Sequence, residues 1–154
     1  QRLLHQPGPD EFERLEAIGE QAVRVFDQPD AGMWELRTRA RVHTSSALMC
    51  WAACDRLAKI ARRLQLPDRA QKWGERASAM GERILRESWS EERQAFAESF
   101  GGRDLDASVL LMAEVGLIDP MDRRFVSTLH PQTYSMVGLI NAAVRLSAPW
   151  DSVV

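Results

Sequence analysis

The chain has 154 residues, of which 45% are hydrophobic and 27% charged, a composition typical of a folded domain and far from that of a disordered chain. A chain of this length can bury a core without disulfides or metals, so we predict a single domain over residues 1–154. The net charge of −2 removes the attraction that supplies most non-specific affinity for nucleic acid and anionic membranes, so we expect neither as a partner.

The sequence shows no candidate membrane span. The best apolar run, residues 109–118, is interrupted by Glu114 and is shorter than the ~20 residues that cross a bilayer. Residues 1–7 contain no apolar stretch of the kind found in secretory signals. We therefore expect a cytoplasmic protein.

The first predicted element is a helix. Asp10 is its expected N-cap, and Pro29 is expected to end it. Residues 27–41 lack periodicity and contain Pro29 and Gly32, so they predict a loop, and loops often carry function. The apolar residues of the helix, with one glycine, recur at steps of three and four: Phe12, Leu15, Ile18, Gly19, Ala22, Val23 and Phe26.

Five further helices are predicted along the rest of the chain, the first of them capped by Thr44 or Ser45 and the third ended by Gly116. Residues 90–102 predict an irregular connection. The helices are expected over residues 46–64, 67–89, 107–115, 119–129 and 132–146.

Six helices in antiparallel pairs predict an all-α fold, a helical-hairpin array without a short repeat. The tightest core is expected from the apolar faces of the second, third and fourth helices. It should contain Leu48, Met49, Trp51, Leu57, Trp73, Met80, Ile84, Leu110 and Leu111.

Two cysteines, Cys50 and Cys54, stand four apart in the second predicted helix and share one face. His43 lies nearby, but a structural zinc site needs four ligands and no fourth Cys or His has a useful spacing. We therefore expect core packing for this pair, and neither a disulfide nor a metal.

The residues with the most chemistry are Trp34 and Glu35, in the loop between the first two helices. A carboxyl beside an indole, on a loop that contains a glycine, has the ingredients of a general acid next to a surface for sugar stacking. The same residue types also fit a surface loop in which Trp34 packs on the core and Glu35 pairs with Arg37 or Arg39. Composition leaves both interpretations open.

Residues 29–37 match the pattern P-D-x-G-[ILM]-W-E-x-R, and four further motifs follow in order. These motifs occupy residues 43–56, 105–111, 119–125 and 131–141. They are similar to the patterns H-x-x-S-K-x-M-C-W-x-A-x-D-R, L-D-A-S-L-L-L, D-P-R-F and F-P-Q-x-[FY]-S-[HM]-x-G-L-I-N, the last without its first F. Together they resemble glycoside hydrolase family 15, the glucoamylase-like enzymes that include bacterial glucoamylases, glucodextranases and some trehalases. The resemblance covers nearly the whole chain.

The resemblance implies part of an (α/α)6 barrel, with six inner and six outer helices, that hydrolyses α-glucosidic bonds with inversion. It implies that Glu35 is the general acid, that Trp34 forms part of the wall against the sugar ring, and that Arg37 and Asp106 belong to the substrate-binding shell. An α-glucoside or oligosaccharide is the implied ligand. We expect no cofactor.

The chain also departs from the family pattern. Ala47 stands where the family has a lysine, and Leu129 runs directly into His130, although several helices separate these motifs in the family. The stretch missing at this seam contains the acidic residue that activates the attacking water, so we expect weak or no activity. Nothing in the sequence places another carboxylate across a sugar from the acid; the nearest candidates are Glu98, Asp104 and Asp106.

Two functions therefore stay open, and the Leu129–His130 junction is what separates them. One is a hydrolase fragment with the acid half of its site, and the other is a non-catalytic helical module for binding or self-association. A stretch omitted from the numbering would also explain the junction. Half a barrel would expose an apolar face, so a second copy of the chain is the protein partner that we expect.

Overall fold

Helices form almost all the regular structure in the computed structural model, which describes residues 9–33, 35 and 40–129. These residues fall into two units, one ending at Arg86 and the other starting at Glu87. The all-α prediction is confirmed for the described residues. The single domain and the partial barrel stay predictions.

The first unit contains three helices: α1 (Pro9–Val25), α2 (Thr44–Arg63) and α3 (Pro67–Glu87). The predicted N-caps were wrong by a few residues. Helix α1 begins at Pro9, so Asp10 lies within the first turn of the helix. There the negative charge of Asp10 interacts favourably with the helix dipole. Helix α2 is preceded by His43 as N-cap, and Thr44 and Ser45 lie buried in the first turn.

Ion pairs between α1 and α3 show the relative direction of the two helices. Glu16 lies 3.4 Å from Arg69 and Glu20 lies 2.7 Å from Arg76, both measured between carboxylate oxygen and side-chain nitrogen. Just beyond α1, Asp27 lies 2.9 Å from Arg83. Because the partners advance along both helices in the same order, α1 and α3 run in the same direction.

The core of the first unit follows most of the sequence prediction. Six of the predicted core residues are buried: Leu48, Trp51, Leu57, Trp73, Met80 and Ile84. Met49 was wrong, since it is 44% exposed, and the buried face of α2 passes through Ala47 and Cys54 instead. The buried residues Thr44, Ala47, Leu48 and Trp51 follow the i, i+3, i+4, i+7 spacing of one helix face, and Met49 lies off that face.

The second unit begins with a short antiparallel hairpin where an irregular connection was predicted. Strand β1 (Trp89–Ser90) pairs with β2 (Ala95–Phe96), and the rings of Trp89 and Phe96 meet edge to face at 5.2 Å. Phe96 is fully buried. The periodicity criterion missed two strands of two residues each, because so short a segment has no measurable period.

Two further helical segments complete the described part of this unit. A 3₁₀ turn (Ala107–Leu110) continues into α4 (Leu111–Glu114), which ends before Gly116 at φ +87° as predicted. Helix α5 (Arg123–Leu129) starts later than predicted, because residues 119–122 form a turn in which Asp119 accepts the Met121 N–H. Leu110 and Leu111 are half-buried instead of central to a core.

Helix α5 is attached to the hairpin through Thr128. Its buried hydroxyl accepts the backbone N–H of Phe96 at 2.9 Å and donates to the carbonyl of Arg124 at 2.7 Å. The predicted sixth helix and His130, at the predicted seam, lie outside the described residues. Among the described helices, none is both long and apolar enough to span a bilayer.

Candidate active site

The loop that carries the predicted acid is closed at its base by a pair of backbone hydrogen bonds. The Asp30 N–H donates to the Arg41 carbonyl at 2.8 Å, and the Arg41 N–H donates to the Asp30 carbonyl at 3.2 Å. This antiparallel bridge joins the two ends of the loop just before α2.

Gly32 lies in the first turn of this loop, at φ +69°, a conformation that favours glycine. Its N–H donates to the carboxylate Oδ1 of Asp30 at 2.6 Å, an Asx turn that ties the loop to its own base. Asp30 therefore holds the loop at two points: its backbone is hydrogen-bonded to Arg41, and its side chain is hydrogen-bonded to Gly32.

Glu35 lies midway along the sequence of the loop and is exposed. Its N–H donates to the Gly32 carbonyl at 3.1 Å, and its φ of +50° is uncommon for a residue with a side chain. Such backbone outliers persist where the surroundings hold them, and they cluster at functional sites. An exposed carboxyl on a tied turn can exchange a proton with a ligand that arrives from solvent.

The other predicted site residues are distributed unevenly. Trp34 and Arg37 lie outside the described residues. Asp106 lies in the second unit, where it is half-buried and its Oδ1 accepts the N–H of Ser108 at 2.8 Å as the N-cap of the 3₁₀ turn. Asp106 thus has a local structural role, and one carboxylate oxygen is committed to it.

The two other carboxylates weighed as replacements for a base also lie in the second unit. The Glu98 N–H donates to the carbonyl of Asp104 at 2.9 Å, so the backbones of the two residues lie side by side. Asp104 is exposed and Glu98 is half-buried.

The cysteines of α2 pack as predicted for Cys54, which is fully buried, whereas Cys50 is half-buried. Burial raises the pKa of Cys54 to about 11. Burial also raises the pKa of Cys50, and the nearby charge of Asp30 adds to the effect. Both thiols are therefore protonated at neutral pH and are poor nucleophiles. The described residues contain no cluster of three or more His, Cys, Asp or Glu suited to a metal.

Sequence reasoning considered His43 as a metal ligand and as the first residue of the motif over residues 43–56, and did not predict its contact with the loop. The imidazole is buried, with 8% of the residue exposed, and it packs against Gly32. No sequence pattern connects two residues eleven positions apart across an irregular loop. The one available signal was the glycine itself, since a loop glycine often marks a close approach.

Comparison with known proteins gives a consistent result. The chain matches the family described as glycosyl hydrolases family 15 over residues 13–143. It is 37% identical over 110 residues to a trehalase of Mycobacterium tuberculosis, covering 71% of this chain and 16% of that protein. It is 30% identical over 105 residues to a trehalase of Thermoplasma acidophilum, covering 68% of this chain and 18% of that protein.

A third relative, called trehalase 2, comes from Sulfolobus acidocaldarius and is 29% identical over 118 residues, covering 77% of this chain and 20% of that protein. The chain thus spans about a fifth or less of the length of the curated relatives it matches. No solved structure matches it significantly.

Proposed function

Because the chain belongs to glycosyl hydrolases family 15, we propose that the loop over residues 30–41 carries the general-acid half of a glycoside hydrolase site. Glu35 is the proton donor to the departing glycosidic oxygen. Trp34 lies against the sugar ring, and Arg37 and Asp106 belong to the substrate-binding shell. The ligand is an α-glucoside or oligosaccharide, and the names of the relatives make trehalose the first to test.

The observation that carries this proposal is the backbone of Glu35. A general acid must be held at a fixed position while its carboxyl stays accessible to the ligand. Glu35 meets both needs, since its N–H is bonded to Gly32, its φ is +50° and the residue is exposed.

Inverting hydrolysis divides the work between two carboxyl groups roughly 6.5–9.5 Å apart, one of which protonates the leaving oxygen while the other activates water. We propose that the second group is missing with the segment that the family carries between Leu129 and His130. General base catalysis typically contributes about 10²–10⁴-fold to the rate. Turnover by this chain should therefore be a trace of that of an intact relative.

The test compares the wild-type chain with Glu35→Gln, which keeps the shape of the side chain but removes the acidic proton. Glu13→Gln is the matched control, because Glu13 is an exposed glutamate on α1 of the same unit. Hydrolysis of trehalose and maltooligosaccharides is followed by glucose release, and binding by saturation-transfer NMR. We expect weak binding in all three proteins and a trace of hydrolysis that Glu35→Gln alone removes.

Two results would contradict the proposal. Equal trace rates in the wild type and Glu35→Gln would mean that Glu35 is not the acid. Robust turnover that Glu35→Gln abolishes would keep Glu35 as the acid but would show that another carboxylate acts as base, so the segment missing at residues 129–130 is not required.

A second candidate function, self-association of a helical module, is favoured by one feature of α1. Leu15, Ile18 and Val25 are exposed by 41%, 66% and 42%, and their spacing places them on one side of the helix. Exposed apolar groups at helical spacing mark interaction surfaces more often than isolated ones do. This function requires no catalysis and is compatible with an inactive site.

A further inference from the structure

We propose that His43 is a positioning residue for Glu35, and that it acts through Gly32. The inference rests on the proposed role of Glu35 as general acid. The imidazole of His43 supports the peptide unit to which the backbone of Glu35 is bonded.

The first step is the contact between His43 and Gly32. A Cβ atom built on Gly32 would lie 2.9 Å from each of Cδ2, Cε1 and Nδ1 of the His43 ring. Equal distances to three atoms spread around a five-membered ring mean that Gly32 faces the flat side of the imidazole. The absence of a side chain at Gly32 is what allows this close stacking.

The second step runs from Gly32 to Glu35. The carbonyl of Gly32 accepts the N–H of Glu35, and the N–H of Gly32 is held by the Asp30 carboxylate. The Gly32 residue is therefore fixed on three sides: by Asp30, by Glu35 and by the ring of His43. If the ring is removed, Gly32 can move into the space, and the turn that keeps Glu35 at positive φ loses one of its supports.

The third step is the anchoring of His43 itself. It is the N-cap of α2, and its carbonyl accepts the N–H of Ala47 at 3.0 Å, so its backbone is attached to the start of a 20-residue helix. Nε2 is buried, and none of the described residues hydrogen-bonds to it. The ring is thus held in place by packing, and a ring without nitrogen atoms should fill the same space.

This argument predicts different results from two substitutions at one position. His43→Phe keeps a flat ring over Gly32 and removes the buried nitrogen, whereas His43→Ala removes the ring. If His43 were only a core residue, the two substitutions would change the stability of the fold and would leave the conformation of Glu35 unchanged. A positioning residue changes the conformation of Glu35 in His43→Ala and preserves it in His43→Phe.

The experiment measures the backbone of Glu35 by NMR on the labelled 154-residue chain, from the one-bond Cα–Hα coupling and the Cα and Cβ shifts, which distinguish positive from negative φ. We expect the positive-φ values in the wild type and His43→Phe and their loss in His43→Ala. Phe12→Leu is the control, because Phe12 is a buried aromatic on α1 and its truncation should lower Tm without changing Glu35. If His43→Ala does not fold, His43→Leu, which keeps bulk without a flat face, replaces it.

Unchanged Glu35 values in His43→Ala or His43→Leu would overturn the proposal, and so would their loss in a folded His43→Phe. The same loss in Phe12→Leu would reduce the effect to general stability and also overturn it. These measurements do not use sugar, so they are independent of the hydrolysis assay with Glu35→Gln. A failure of the proposed function and a failure of this inference are therefore distinguishable.

Discussion

At the scale of single residues, the carboxylate of Glu20 is held between two cations of α3. Its carboxylate lies 2.7 Å from Nη1 of Arg76 and 2.8 Å from Nζ of Lys72. Arg76 and Lys72 lower the pKa of Glu20 from its ordinary value of 4.5 to about 2. Both cations also lie over the ring of Trp73, at 4.9 and 5.1 Å from its centre. The acid and the indole thus hold the same two side chains.

We predict a pH-dependent contribution of Glu20 to stability. Because the pKa is lower in the folded chain, the stabilisation is fully present above pH 4.5 and is lost as the pH falls toward 2. The carboxyl is partly solvated, so we expect Glu20→Gln to cost only about 1 kcal/mol at pH 7. Urea denaturation between pH 7 and 2.5 measures this difference, with Glu13→Gln as control. A cost of Glu20→Gln that stays constant down to pH 2.5 would contradict the assignment.

At the scale of elements, the three helices of the first unit meet at Gly19 of α1. A Cβ atom there would clash with Cδ1 of Leu57 on α2 and would lie 2.7 Å from Cη2 of Trp73 on α3. The missing side chain therefore sets how closely α1 approaches both neighbours. Trp73 is fully buried in this contact, and its indole N–H donates to Glu16 at 2.7 Å.

We predict opposite signs for two glycine-to-alanine substitutions in this unit. Gly19→Ala should destabilise by about 1–3 kcal/mol, because the added methyl overpacks the contact with Leu57 and Trp73. Gly74→Ala should stabilise by up to about 1 kcal/mol, because Arg62, at 3.6 Å, is the one described residue near the added methyl, and alanine favours the helix. Thermal unfolding of both variants checks this. A stabilised Gly19→Ala would mean that the helices separate at little cost.

At the scale of the whole molecule, the exposed apolar side of α1 is the feature most relevant to assembly. Ile18 is 66% exposed, and Leu15 and Val25 lie on the same side. If the chain is part of a helical barrel, such a side belongs against another helix. When no other protein is present, a second copy of the chain can supply that helix.

We predict that the chain associates in solution at high micromolar concentration, with a mass by light scattering of about twice the 17.4 kDa of one chain. Ile18→Glu should shift the population toward the monomer, because it places a charge in the proposed apolar contact. Met121→Glu is the control, since Met121 is 81% exposed in the second unit. A monodisperse wild-type monomer would count against the dimer and favour helices that cover their own apolar faces.

The sequence by itself determined the helices, the loop and the family. Helical periodicity located α1, α2 and α3 to within a few residues, because each is long enough to show a period of 3.6. Gly116 indicated a helix end, and the motif at residues 29–37 indicated a functional loop and the family that the comparison confirmed. These features are local, so neighbouring residues are sufficient to specify them.

Only the tertiary structure decided which contacts join these elements. The burial of Phe96 depends on a two-residue strand and on Thr128, which lies 32 positions further along the chain. The burial of Ala47 and the exposure of Met49 depend on which face of α2 packs against the rest of the unit. His43 and Gly32 meet only because the loop folds back on the start of α2. Each of these contacts is a steric or hydrogen-bonding condition between residues that are distant in sequence. Neither the composition nor the helical periodicity of the sequence says which distant residues come close in space.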